Sequence, residues 1–222
     1  MNEKKRMIYA LYFPGFVILL LTGIKIWEIA GGRPLSGGGI VPRDLKGLTG
    51  ILTAPLVHAD FSHLWNNAVP LFFVLWLLIY FYRQLAYKVF FLVWLITGLW
   101  VWAGARDACH IGASGVVYGL ISFIFFSGLF RRIPELMTLS LLMVFLYGSM
   151  IWGIFPFVPD ISWESHLSGG MAGLLLSLVF LREGPQRKIY EWETEEEEEE
   201  GNEGKREMFP GQDTEEKEHQ GN

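Results

Sequence analysis

One cysteine, Cys109, is all the thiol chemistry this 222-residue chain carries. It cannot close an internal disulfide, and alone it cannot anchor a metal site. Charge is scarce too, at 18% of residues. No His/Cys cluster has metal-ligand spacing, no glycine loop is built to cradle phosphate, and no internal repeat is present. The sequence therefore implies no metal and no cofactor. Basic residues flank apolar stretches instead of forming a patch, so nucleic-acid binding has no support. What the chain has in quantity is apolar surface: 51% hydrophobic and 15% aromatic residues.

The charges are unevenly placed. Residues 1–182 balance to +5 and residues 183–222 to −10, so the net −5 describes neither part. The second part holds six consecutive glutamates, Glu195 to Glu200, and few apolar residues. It reads as a disordered, solvated cytoplasmic tail without a catalytic part, or as a protein-binding segment. Six stretches reach the length of about 17–25 residues needed to cross a bilayer: 7–27, 63–82, 86–104, 113–130, 134–156 and 165–181. Lys4, Lys5 and Arg6 precede the first, but its apolar run is too long for a signal peptide and lacks a small-residue cleavage site. The expected organisation is a cytoplasmic N-terminus at 1–6, a six-helix membrane domain at 7–182 and the tail at 183–222.

Basic residues set the expected orientation. Lys4, Lys5, Arg6, Arg83, Lys88, Arg131, Arg132, Arg182, Arg187 and Lys188 fall on one side of the six spans. Arg33, Arg43, Lys46 and Arg106 fall on the other. The positive-inside rule places both termini in the cytoplasm. The fourth and sixth spans then begin at the outer face, which brings Ser114 and His166 to the same side and depth. The outer connection at 28–57 is broken by Gly31-Gly32, Gly37-Gly38-Gly39, Pro34 and Pro42. Its Leu45, Leu48, Ile51, Leu52 and Leu56 recur at near-helical spacing, which fits either an interfacial element or an ordinary surface loop.

Polar and ionisable residues inside a bilayer are costly and point to function. Ser114, in Gly112-Ala113-Ser114-Gly115, opens the fourth span. His166, in Ser165-His166-Leu167-Ser168-Gly169, opens the sixth. A serine hydroxyl needs a base to become a nucleophile, and an imidazole supplies one. Flanking glycines expose the hydroxyl, and a helix N-terminus favours a developing oxyanion. Gly115/Gly119 and Gly169/Gly173 are spaced to let two membrane helices approach closely, which would bring serine and histidine together. His63 and Asn67, four apart on one face of the second span, can both donate hydrogen bonds to an oxyanion. Asp60, Asp107, Asp160 and Glu164 all read as solvated loop carboxylates. None is placed to orient His166, so the pattern is a dyad and not a triad.

These motifs resemble those of the rhomboid family of intramembrane serine proteases. The likeness rests on Gly112-Ala113-Ser114-Gly115, on His166-Leu167-Ser168-Gly169 with Gly173, on His58, His63 and Asn67, and on Pro42-Arg43. It covers roughly residues 8–182, in family order. It implies an all-α bundle of six transmembrane helices, the minimal form, with a water-filled cavity open outward. By this resemblance Ser114 is the nucleophile and His166 the base. His63, Asn67 and the Ser114 N–H would stabilise the oxyanion, and Tyr118 would pack on the histidine ring. Expected partners are the lipid bilayer, in a bacterial plasma membrane, and membrane-protein substrates with helix-destabilised spans. The first connection lacks the Trp-Arg pair seen in some bacterial members. Two other classes compete. A catalytically inactive relative that binds membrane clients would typically lack the serine or the histidine. A transporter would need paired intramembrane ions or broken helices in repeated halves.

Overall fold

The computed structural model describes residues 2–32, 34–158 and 161–186. The acidic segment from Arg187 onward and Asp160 lie outside the described residues, and so does the expectation of a disordered tail. Among the described residues, seven α-helices succeed one another: α1 (Glu3–Gly31), α2 (Gly50–Thr53), α3 (Phe61–Tyr82), α4 (Gln84–Gly104), α5 (Ser114–Arg131), α6 (Pro134–Tyr147) and α7 (Trp163–Val179). Among the described residues, five helical segments are long and apolar enough to cross a membrane: α1, α3, α4, α5, and α6 with its extension to Ile154. At 17 residues, α7 reaches only the lower limit for a span.

Local chemistry explains most of the boundaries. The Asp60 carboxylate accepts the His63 N–H at 2.7 Å and caps α3. Arg83, at φ 54°, and Arg132, at φ 54°, end α3 and α5 in conformations that side chains seldom adopt. Gly112, at φ 101°, turns the chain sharply just before α5.

Helix α5 is the centre of the bundle. Over its most apolar window, 56% of residues are buried, against 22% for α1 and 17% for α6 with its extension to Ile154. Its Val117, Leu120, Phe123 and Ile124 meet Leu71, Leu75 and Leu78 of α3, Val89 and Val93 of α4, and Leu176 of α7 in one continuous core. The α5–α7 seam is a backbone contact. A methyl group built on Gly169 would lie 1.9 Å from the Gly115 carbonyl oxygen, and one on Gly173 would lie 2.0 Å from that of Gly119. The two glycine pairs read from the sequence are thus each other's partners.

One expectation about a segment changes. The stretch 134–156 is not one helix: α6 stops at Tyr147 and the chain tightens into a 3-10 segment, Gly148–Ile154. Gly148 weakens the α-helix there, and carbonyls of the tightened turn are used by side chains of α5 and α7. In the connection after α1, the stretch expected at near-helical spacing is helical throughout, because Leu45 to Leu56 run without a break through the 3-10 turns Leu45–Thr49 and Ala54–Leu56 and the single turn of α2 between them. A further 3-10 turn, Ser36–Gly38, precedes it. The connection is fastened to the bundle: Trp94 donates to the Ile51 carbonyl at 3.0 Å, and Ile40 pairs with His110 as an antiparallel bridge. Leu45 and Leu52 stay exposed while Ile51 is buried.

Candidate active site

Ser114 is the first residue of α5, and Ala113 before it offers no side-chain cap. The first amides of the helix, Ser114 N–H among them, have no partner within the helix. The Gly112 conformation that creates this start also makes room: a methyl group there would lie 2.7 Å from His63 Nε2. His63 and Asn67 therefore converge on the backbone immediately before Ser114.

His166 lies in the first turn of α7, buried, with Nε2 2.8 Å from Ser114 Oγ. Its other nitrogen, Nδ1, is 2.9 Å from the Gly153 carbonyl oxygen. A carbonyl only accepts, so Nδ1 carries the proton. In the neutral imidazole Nε2 is then the acceptor, and the Ser114 hydroxyl donates to it. The Gly153 carbonyl thus fixes the tautomer that a carboxylate fixes in a triad. The Tyr118 ring stacks on His166 at 4.1 Å between centroids and 5° between planes. Tyr118 Oη donates to the Met150 carbonyl at 2.6 Å, so the 3-10 segment after α6 holds both rings.

The oxyanion candidates face the same cavity. A space of 780 Å³ is lined by Ser114, His166, Tyr118, His63, Asn67 and Asn66, among others. The Ala59 N–H donates to His63 Nδ1 at 3.4 Å, which leaves the ring proton on Nε2. Asn67 is buried and spends one amide hydrogen on the His63 carbonyl at 2.9 Å, which leaves the second available. His58 does not reach the cavity wall. It is buried beneath Ala113, whose N–H it accepts at Nε2 over 3.4 Å, with its ring edge-on to His63. Burial first, and the neighbouring His63 second, hold its imidazole down to about 4, so it is a neutral support under Ser114. The His63 N–H holds the Asp60 carboxyl below the usual carboxylate range.

One carboxylate contradicts its sequence reading. Glu164 is not a solvated loop residue. It sits in the first turn of α7, buried, with Oε1 3.5 Å from Arg106 Nε. The negative charge near a helix N-terminus and the adjacent guanidinium offset its desolvation. Arg106 also donates to the Ile161 carbonyl at 2.9 Å. His110 Nε2 donates to the Arg106 carbonyl, and its Nδ1 accepts from the Ser162 hydroxyl at 2.6 Å. The start of α7, and hence His166, is fastened to the loop that precedes Ser114. Sequence reasoning misses Gly153, Met150, Arg106 and Glu164. The available signal is Gly148 and Gly153 inside a stretch otherwise apolar enough to span.

Comparison with known proteins covers most of the described bundle. The model of the Rhomboid domain matches residues 46–183. An uncharacterized protein of Mycobacterium tuberculosis is 34% identical over 187 residues, covering 78% of this chain and 75% of its own length. An uncharacterized protein of Mycobacterium leprae is 30% identical over 181 residues, covering 76% and 70%. A Bacillus subtilis protein named "Putative rhomboid protease YdcA" is 28% identical over 152 residues, covering 62% and 69%.

Proposed function

Because the chain belongs to the rhomboid family and is an integral membrane protein, we propose that it is a serine endopeptidase that cuts membrane proteins in or near their spans. The observation that carries this reading is the Ser114–His166 contact, with the tautomer held by Gly153, inside a cavity within the apolar bundle. The Ser114 hydroxyl proton passes to His166 Nε2 as Oγ bonds to the scissile carbonyl carbon. The carbonyl oxygen becomes an oxyanion, met by the Ser114 N–H, His63 Nε2–H and the free hydrogen of Asn67 Nδ2. As the intermediate collapses, the C–N bond breaks and His166 returns its proton to the leaving amine. Water then adds to the acyl-enzyme, His166 takes its proton, and the acid leaves as Ser114 is reprotonated.

The bilayer supplies the substrates and shapes their choice. A carbonyl inside a helix is engaged by an amide four residues on, so it must unwind before attack. Glycine costs about 1 kcal/mol and proline about 3 kcal/mol in a helix interior relative to alanine. Substrates are therefore membrane-anchored proteins with such residues near the outer part of a span. A small residue precedes the cut, because Gly112, Ala113 and Gly115 frame the nucleophile closely. By the basic-residue pattern both termini are cytoplasmic with Ser114 toward the outer side; the bacterial relatives favour a plasma membrane, and the acidic tail is a catalytic spectator. The test is a reporter whose span carries Gly or Pro near its outer end, reconstituted with wild-type protein and with Ser114→Ala. Wild type should cut it and cut an all-Leu version far less, and Ser114→Ala should cut neither. Cleavage by purified Ser114→Ala would sink the assignment.

A further inference from the structure

A lysine side chain buried within a membrane helix is expensive and calls for a reason. Lys25 of α1 is such a residue, at 5% exposure. Its ammonium has three hydrogens and three acceptors: Glu28 Oε2 at 2.8 Å, the His58 carbonyl at 2.9 Å and the Ala59 carbonyl at 2.9 Å. The donor count is met in full. Glu28, itself nearly buried, spends its other oxygen on the Leu35 N–H at 2.9 Å.

The two carbonyls belong to the peptide that sets the oxyanion donors. Ala59 holds His63 Nδ1 through its N–H, and His58 holds Ala113 N–H through Nε2. One ammonium group therefore grips, from behind, the segment that fixes the His63 tautomer and the segment that supports the residue before Ser114. Resting on the protease reading above, we propose that Lys25 is a positioning residue: it sets the placement of His63 and Ser114 from α1, a helix that contributes no group to the cavity. A point charge on a long stem suits three converging acceptors. The flat fork of an arginine does not. A substrate carbonyl in the ground state gains little from this placement and the oxyanion gains most, so the effect falls on kcat and spares KM.

The test compares Glu28→Gln with Lys25→Met/Glu28→Gln, both full-length and reconstituted with the reporter. The double variant carries no unpaired buried charge, and the amide oxygen introduced by Glu28→Gln can still accept the Leu35 N–H, so the fold is preserved while the grip is lost. Relative to Glu28→Gln, kcat should fall on the order of tenfold to 10²-fold, as for other small misplacements of catalytic groups. KM should stay within about twofold of it on the same grounds. The phosphonate labelling rate of Ser114 should fall in step with kcat, while the melting temperature stays level. A double variant that matches Glu28→Gln in kcat overturns the proposal, and so does a loss carried by KM alone. If the double variant does not yield monodisperse protein, Lys25→Arg, which keeps a charge beside Glu28, takes its place and is compared with wild type under the same criteria. The wild-type control separates the two readings. Failure of wild type to cleave counts against the protease assignment, whereas cleavage by wild type with no loss in the variants counts against Lys25 alone.

Discussion

Helices α5 and α6 are neighbours of similar apolarity, yet they occupy opposite environments. Helix α5 is sheathed by α3, α4, α6 and α7, and touches α7 backbone to backbone through Gly115, Gly119, Gly169 and Gly173. Helix α6 buries only Leu136, Leu139, Ser140 and Met143, and turns Leu141, Val144 and Phe145 outward. The difference teaches a division of labour. Rigid, side-chain-free contact fixes the two helices that carry Ser114 and His166. The thinly packed helix leads into a tight turn whose carbonyls, at Met150 and Gly153, orient Tyr118 and His166.

Breaking the seam should have the largest effect. In Gly169→Ala the new methyl meets the Gly115 carbonyl oxygen at 1.9 Å, and backbone cannot yield as a flexible side chain can. Stability should drop by about 3 kcal/mol, at the upper end for overpacking, and reporter cleavage should fall to background. Thermal unfolding in detergent, read beside cleavage, checks both. A Gly169→Ala protein with native stability would mean that the seam is looser than described.

Next comes the turn. Gly153→Ala places a methyl 2.1 Å from Tyr118 Oη and 3.1 Å from His166 Nδ1. The Tyr118 hydroxyl must move, and the His166 ring stacked on Tyr118 must give by a few tenths of an ångström, so kcat should fall on the order of 10²-fold. The core is untouched, and stability should change by no more than about 1 kcal/mol. Equal losses of stability in the Gly153 and Gly169 variants would erase the distinction between turn and seam.

These two glycines also mark how far the sequence can be read. Gly169 is legible because its partner spacing repeats in α5, and close helix approach has a sequence signature. Ser114, His166, His63 and Asn67 are legible because polar residues stand out against an apolar background. Gly153 is not, because what it supplies is a backbone carbonyl, and every residue has one. Glu164 reads wrongly because its burial depends on Arg106 reaching it from another loop. Lys25 is visible in sequence as a charge inside the first span, but its role is not, because its partners are mainly carbonyls of residues more than thirty positions away.

A smaller effect concerns pH. His58 is held down to about 4 in the folded protein against an ordinary 6.5. Below pH 6.5 the unfolded chain takes up this proton first, so stability is full above 6.5 and is lost as pH falls toward 4. The whole contribution is about 3 kcal/mol. His58→Gln, which can still accept the Ala113 N–H, should flatten the fall in melting temperature between pH 7 and pH 4.5. An unchanged slope would assign the acid sensitivity to other groups.

The smallest effect should come from the outward face of α6. Phe145 is 85% exposed, and Phe145→Ala should alter stability by less than about 0.5 kcal/mol and leave cleavage unchanged. A large loss there would show that α6 is held by contacts beyond those in the bundle.

The central claim is that Ser114 is a nucleophile activated by His166. The most direct measurement is intact and peptide mass spectrometry of the reconstituted protein after reaction with a serine-directed phosphonate. Wild type should gain one adduct, on the peptide that contains Ser114. Ser114→Ala should gain none, and His166→Ala should label at the background rate despite retaining the serine. An adduct on a different serine, or labelling of His166→Ala at the wild-type rate, would contradict the account.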